Sequence, residues 1–180
     1  MSQTVELCGV CGGPRHGADA YCSKCGSHIE ASQPIRTENF DLQLLAERLK
    51  ALKWEVEDFE DCLYIDSPST YKWFVKPVKQ VQGIFFRSTW TLDDAFPRSQ
   101  VLEAVNGINY NSWFGTAVQD FSTAEDSEDG EAKNDFDYHF LIPFPAAISA
   151  LEIDTHLRYA EREFRSLMNR FHIFEFFKSS

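Results

Sequence analysis

The sequence predicts an α+β domain, an antiparallel sheet with helices packed on it, in the order helix, four strands, helix, two strands, helix, preceded by a small cysteine-organised module. Three observations lead there. Apolar residues recur at spacings of three and four in three separate segments; the segments between them are short runs rich in aromatic and β-branched residues; and four of the five cysteines stand near the N-terminus as two Cys-x-x-Cys pairs.

The cysteines come first in the chain. Cys8-Gly-Val-Cys11-Gly and Cys22-Ser-Lys-Cys25-Gly read as two knuckles that close a four-sulfur shell around one zinc ion. Gly12 and Gly26 fit, because the backbone after a knuckle often needs a positive φ. Disulfides are the competing reading; no charged start, apolar run and cleavage site follows Met1, so a reducing, cytoplasmic setting is expected and zinc is preferred. A thioredoxin-type redox pair opens a helix after a buried strand, and no strand-like run precedes either pair. His16 and His28 lie nearby but are not needed, since Cys8, Cys11, Cys22 and Cys25 fill the shell. A closed shell leaves no position for water or substrate, so the metal is expected to be structural. Its binding, on the order of 10–16 kcal/mol, must replace a core that so short a segment lacks. Residues 1–30 are assigned to this zinc ribbon, residues 31–38, with Ala31-Ser32-Gln33-Pro34, to a linker, and residues 39–180 to the α+β body.

Within the body, Leu42, Leu45, Leu49 and Leu52 predict an amphipathic helix from about Asn39 to Lys53, capped by Asn39 or Asp41. Trp54 to Asp58 and Cys62 to Ile65 predict a hairpin with a solvated acidic tip at Glu60-Asp61. Tyr71 to Val78 and Gly83 to Leu92 predict two more strands, and Pro77 places the end of the first at an edge or bulge. Val101, Leu102, Val105 and Ile108 predict a second helix starting after Pro97, with Gly107 and Asn109 suited to terminate it. Trp113 to Phe121 and Phe136 to Phe144 alternate as a second hairpin. Ile153, Leu157, Ala160, Phe164, Leu167, Phe171 and Phe174 predict a last helix from Asp154 to near Phe176, with Arg158, Glu161, Arg162 and Arg165 toward solvent. Phe171, Phe174, Phe176 and Phe177 exceed what one helical stripe buries; they either fold back on the sheet or join a dimer or client interface.

The charge excludes some functions. Residues 1–36 hold three basic and three acidic side chains, so the whole net charge of −11 lies in residues 37–180. Such a body repels phosphates, and Arg15, Lys24 and Arg36 give the ribbon no basic patch. No apolar run is long enough to span a membrane. The acidic stretch Glu125 to Glu131 fails as a calcium loop, because with Gly130 in the sixth position Phe136 takes the twelfth, where a carboxylate is required. It reads as a solvated hairpin loop. An enzyme needs a nucleophile with a base, paired carboxylates in a cleft, or an open metal. Cys62 reads as a small buried hydrophobe, and His139, His156 and His172 as structural or surface residues, so no enzyme is expected.

Leu44 to Phe177 resembles the YbjN family, through Trp54-Glu55-Val56-Glu57 after the first helix, Val105-Asn106-Gly107-Ile108-Asn109, the strand Trp113-Phe114-Gly115-Thr116-Ala117, and the last amphipathic helix. That resemblance implies a fold similar to type III secretion chaperones and a bacterial regulatory role. Tyr21-Cys22-Ser23-Lys24-Cys25-Gly26 is similar to the second knuckle of short bacterial zinc ribbons. Asn106 and Asn109 read as helix-end capping residues rather than a ligand site. The resulting expectation is a protein-binding module, chaperone-like or regulatory, that holds a partner or client through the acidic, aromatic body and can form a homodimer. The alternative is a regulatory adaptor whose ribbon contacts a nucleic-acid-associated or transcription complex.

Overall fold

The computed structural model describes residues 6–8, 11, 13–15, 21–26, 34–36, 40–66, 71–123, 132–144 and 146–177. The acidic stretch and the two histidines near the knuckles lie outside these residues, as does Gly12. In the cysteine module, β1 (Glu6–Leu7) pairs antiparallel with β2 (Pro14–Arg15).

The body opens with β3 (Ile35–Arg36), a strand inside the segment read from sequence as linker. Ile35 is buried in the hydrophobic core, and that burial is why two residues in a polar stretch are ordered. Then come α1 (Leu42–Ala51), β4 (Glu55–Asp58), β5 (Leu63–Asp66), β6 (Lys72–Val78) and β7 (Gly83–Thr91). α2 (Arg98–Asn111), β8 (Thr116–Ser122), β9 (Lys133–Pro143), β10 (Ala147–Ile148) and α3 (Ala150–Arg170) complete it. Asp41 caps α1 by accepting from the Gln43 amide at 2.9 Å.

Six strands form one antiparallel sheet in the order β4-β5-β6-β7-β9-β8, while β3 pairs with β10 beside it. The period-2 alternation decides which face is buried. Trp73 and Val75 of β6, Ile84 and Phe86 of β7, and Phe136, Tyr138 and Phe140 of β9 point into one core with the apolar sides of the three helices. The other face carries Tyr64, Phe74, Phe85, Arg87, Asp137 and His139. Pro77 faces Ile84 of β7, but β5 runs out at the Leu63–Val75 pair, so the missing amide falls where β6 has a neighbour on one side only.

α3 begins earlier than the apolar spacing predicts. Ser149 and Glu152 form a capping box, the Ser149 hydroxyl accepting from the Glu152 amide and the Glu152 carboxylate accepting from the Ser149 amide at 2.7 Å. The helix ends at Arg170, and a separate 3₁₀ turn (Ile173–Phe176) carries the chain back, because His172 takes a left-handed conformation at φ 55°. The C-terminal phenylalanines fold back: Phe177 stacks on Trp90 at 5.7 Å and Phe176 packs edge-on against Phe96 at 4.9 Å. Only Phe174 of the four is exposed.

Candidate functional site

The two knuckles converge. One ligand atom from each of Cys8, Cys11, Cys22 and Cys25 lies within 4.8 Å of the others, and the Cys8–Cys25 and Cys11–Cys22 sulfurs are 3.7 Å apart. For metal–sulfur bonds of about 2.3 Å a tetrahedron has edges of about 3.8 Å, so these sulfurs are already spaced as the corners of a coordination shell. The local folds hold them there. The Cys8 amide donates to the Gly13 carbonyl at 2.9 Å, closing the first knuckle, and the Gly26 amide donates to the Cys22 carbonyl at 2.8 Å, closing the second. Gly26 sits at φ 72°, the positive value its place after the knuckle predicts. The Gly13 amide donates to Cys11 Sγ and favours its thiolate, but the thiols of Cys25, Cys22 and Cys8 together with burial push the Cys11 thiol up to about 11. A cation bound among the four sulfurs would gather their charge as thiolates. The residues present therefore fit one tetrahedral metal ion.

The Asn106-Gly107-Ile108-Asn109 element does something other than end a helix. α2 runs on to Asn111, with Ser112 as its C-cap, so Gly107 lies in the helix interior. A Cβ there would stand 2.5 Å from the Phe171 ring; the glycine is what lets the chain after α3 pack against α2. Asn109 reaches sideways and bonds both backbone groups of Ala117 at the start of β8, donating Nδ2 to its carbonyl at 2.8 Å and accepting its amide on Oδ1 at 2.6 Å. It pairs with the edge of the sheet as a neighbouring strand would. The carbonyl-capping role falls instead to Asn111, which donates to the Gly107 carbonyl at 2.7 Å. Asn106 is exposed.

Two buried carboxylates on α3 tie it to the sheet side. Asp154 accepts from Trp54 Nε1 at 2.9 Å and from Arg158 Nε at 2.9 Å, and Glu161 accepts from Trp73 Nε1 at 3.0 Å. Glu161, read as solvent-facing, is therefore an inward polar anchor, because the Trp73 indole N–H needs an acceptor inside the core. Cys62 is buried at the head of β5, and burial, then the Asp61 charge, raises its pKa, as for an inert core thiol. His139 lies half-buried on the helix-free face beside Phe85, where burial lowers its pKa. His156 packs against Phe114, and His172 is exposed with Glu175 3.2 Å away.

One surface carries no signal in the sequence reading. Trp113 is 96% exposed and Tyr110 90% exposed, and Tyr159 also stands well out from α3. Trp113 was expected to begin a strand, but β8 starts three residues later, and Trp113 falls in the connection that α3 holds through Glu163, whose carboxylate accepts the Trp113 amide. Arg170 fixes the same connection by donating to Asn111 Oδ1 at 3.0 Å. Between this connection and α3 lies a cavity of about 490 Å³ walled by Trp113, Phe114, Tyr159 and Glu163, and a second of about 320 Å³ on α3 is walled by Arg158, Glu161 and Arg165; Arg162 borders both. Among the described residues no helix is long and apolar enough to cross a membrane.

No family model and no curated protein matches this chain. Its architecture is nonetheless of a known kind, a YbjN-like α+β fold. A crystal structure of YbjN from E. coli, described as a proposed transcription regulator, superposes with a TM-score of 0.60 over 78% of this chain and 97% of that one, at 11% identity.

Proposed function

We propose that the chain is a non-enzymatic protein-binding module, in which residues 1–30 fold around one structural zinc ion and the α+β body holds a partner protein. The observation that carries this reading is the pair of nearly fully exposed aromatics, Tyr110 and Trp113, beside a cavity whose wall is fixed to α3. Large aromatic side chains left in water on a rigid edge are the usual anchors of a protein interface. For the metal, an all-thiolate tetrahedral shell selects zinc over calcium, magnesium or manganese. Cys8, Cys11, Cys22 and Cys25 would hold it, and with all four positions taken it would supply folding energy and no chemistry.

A second reading has one observation in its favour, the likeness to a protein described as a transcription regulator. In it the ribbon, rather than the body, makes the decisive contact with a nucleic-acid-associated complex.

Affinity capture separates the two. The tagged full chain is run beside the double variant Tyr110→Ser/Trp113→Ser and beside Cys8→Ser/Cys11→Ser, with zinc content measured on each. One stoichiometric protein kept by the wild type and the ribbon variant but lost by the aromatic variant is the expected result. Loss confined to the ribbon variant moves the contact to the ribbon, and a partner indifferent to both changes removes the aromatic surface from the account.

A further inference from the structure

The acidic chain carries a local run of positive charge on α3. Net charge over the chain is −11, yet α3 presents Arg158, Arg162 and Arg165 along one solvent-facing stripe, at spacings of four and three residues. The acidic residues of that helix offset this stripe in part: Asp154 pairs with Arg158, and Glu161 lines the same cavity as the three arginines. Asp154 and Glu161 are turned inward to Trp54 and Trp73, and Glu163 is engaged by the Trp113 amide. Arg158 is paired with Asp154, and Arg165 lies over the Tyr71 ring. Arg162 pairs with no carboxylate among the described residues, and it borders both the arginine-walled cavity and the aromatic-walled one.

Resting on the binding reading above, we propose that this groove seats an acidic segment of the partner protein, with an apolar side chain set between Trp113 and Tyr159 and a carboxylate on Arg162. Arginine is suited to this because its planar guanidinium can take a carboxylate with two parallel hydrogen bonds, and a neighbouring aromatic wall excludes water from the pair. The surrounding charge decides the class of partner. A nucleic acid brings one negative charge for about every 1.7 Å of duplex, and beyond the stripe it would meet a body that carries the whole net charge of −11. A short acidic peptide meets the local arginines, while the carboxylates of the same walls, Glu161 and Glu163, are engaged by the Trp73 indole and the Trp113 amide. Its apolar anchor uses the exposed rings, which a phosphate chain alone would not need.

The test is selection of a random peptide library, displayed on phage, against the full zinc-loaded chain, repeated on Arg162→Glu and Trp113→Ala. Both positions are at the surface, and unchanged near-ultraviolet dichroism checks that each variant folds. Enrichment of peptides with an aromatic or aliphatic residue next to Asp or Glu is expected. A synthetic peptide from that set should bind about tenfold or more weakly to each variant, the loss of one charge-assisted contact or one aromatic anchor. Enrichment of basic sequences, or acidic ones that bind both variants as well as wild type, overturns the groove while leaving protein binding standing. No enrichment at all removes both. Tight binding of a labelled single-stranded oligonucleotide that Arg162→Glu abolishes also overturns the proposal, transferring the groove to nucleic acid.

Discussion

In the cysteine module the buried side chains are sulfur: Cys8 and Cys22 are buried while Leu7 and Tyr21, its larger apolar residues in view, are exposed. In the body the buried side chains are rings. Phe164 of α3 stacks on Tyr138 at 4.2 Å and touches Trp90 at 5.0 Å, Tyr71 at 5.8 Å and Phe136 at 5.9 Å. One region is therefore built to be held by a coordination equilibrium, which would respond to metal and acid, and the other by area removed from water, which would not. The same chain is stabilised by two quantities that can be varied separately.

The strongest way to break that comparison is to remove the metal. Chelation, or Cys8→Ser with Cys11→Ser, forfeits a binding free energy on the order of 10–16 kcal/mol and should unfold residues 1–30, read as loss of their dispersed amide resonances. The body should melt at an unchanged temperature. A drop of several degrees in the body would mean that the two regions share a core. The converse change, Phe164→Ala, leaves a cavity where four rings met and should cost the body about 3–5 kcal/mol in denaturant unfolding, with metal content unaltered.

Smaller effects sharpen the account of the body. Gly107→Ala drives a methyl to within 2.5 Å of the Phe171 ring and should cost about 1–3 kcal/mol, whereas a glycine serving as a helix terminator would show its penalty through a positive φ that Gly107 lacks. Asn109→Ala removes two bonds to the Ala117 backbone, and about 1 kcal/mol for each should be lost, with faster amide exchange at Ala117. Asn106→Ala, at an exposed position, should change little. The smallest effect concerns His139. Burial, with help from the Arg87 charge and against that of Asp137, lowers its pKa in the folded chain. Between that lowered value and the ordinary value of about 6.5 the unfolded chain binds more protons, so the body should be fully stable above about pH 6.5 and lose stability as pH falls through it. His139→Gln should flatten the acid side of the curve; an unchanged slope would place the sensitivity elsewhere.

The order of elements was legible because each helix shows a stripe spaced by three and four, and each strand has a run that suits a half-buried sheet. The clustering of the four cysteines was legible for another reason: spacing of two residues between thiols is a geometric statement in itself. The start of α3 differs from the apolar stripe for a local reason, the capping pattern of Ser149 and Glu152, which lies ahead of the first apolar repeat. The rest of what stayed hidden depends on residues distant in sequence. The acceptor for the Trp73 indole, Glu161, lies 88 residues away, so its charge suggested solvent. Gly107 and Asn109 look like terminating residues locally, and only the approach of Phe171 and of β8 shows otherwise. The exposure of Trp113 had no sequence signal at all, since an aromatic before a strand ordinarily reads as core.

The pairing of Ile35–Arg36 with Ala147–Ile148 gives the chain arriving from the cysteine module a fixed post on the body. From Cys25 to Ile35 the chain advances ten residues, which fully stretched reach about 35 Å. Whatever that module touches is thus held within this reach of the post, so a second contact from the body is intramolecular. Two weak contacts, one from each region, would then act on a single target as one strong one, and the post at Ile35 sets the radius within which that holds.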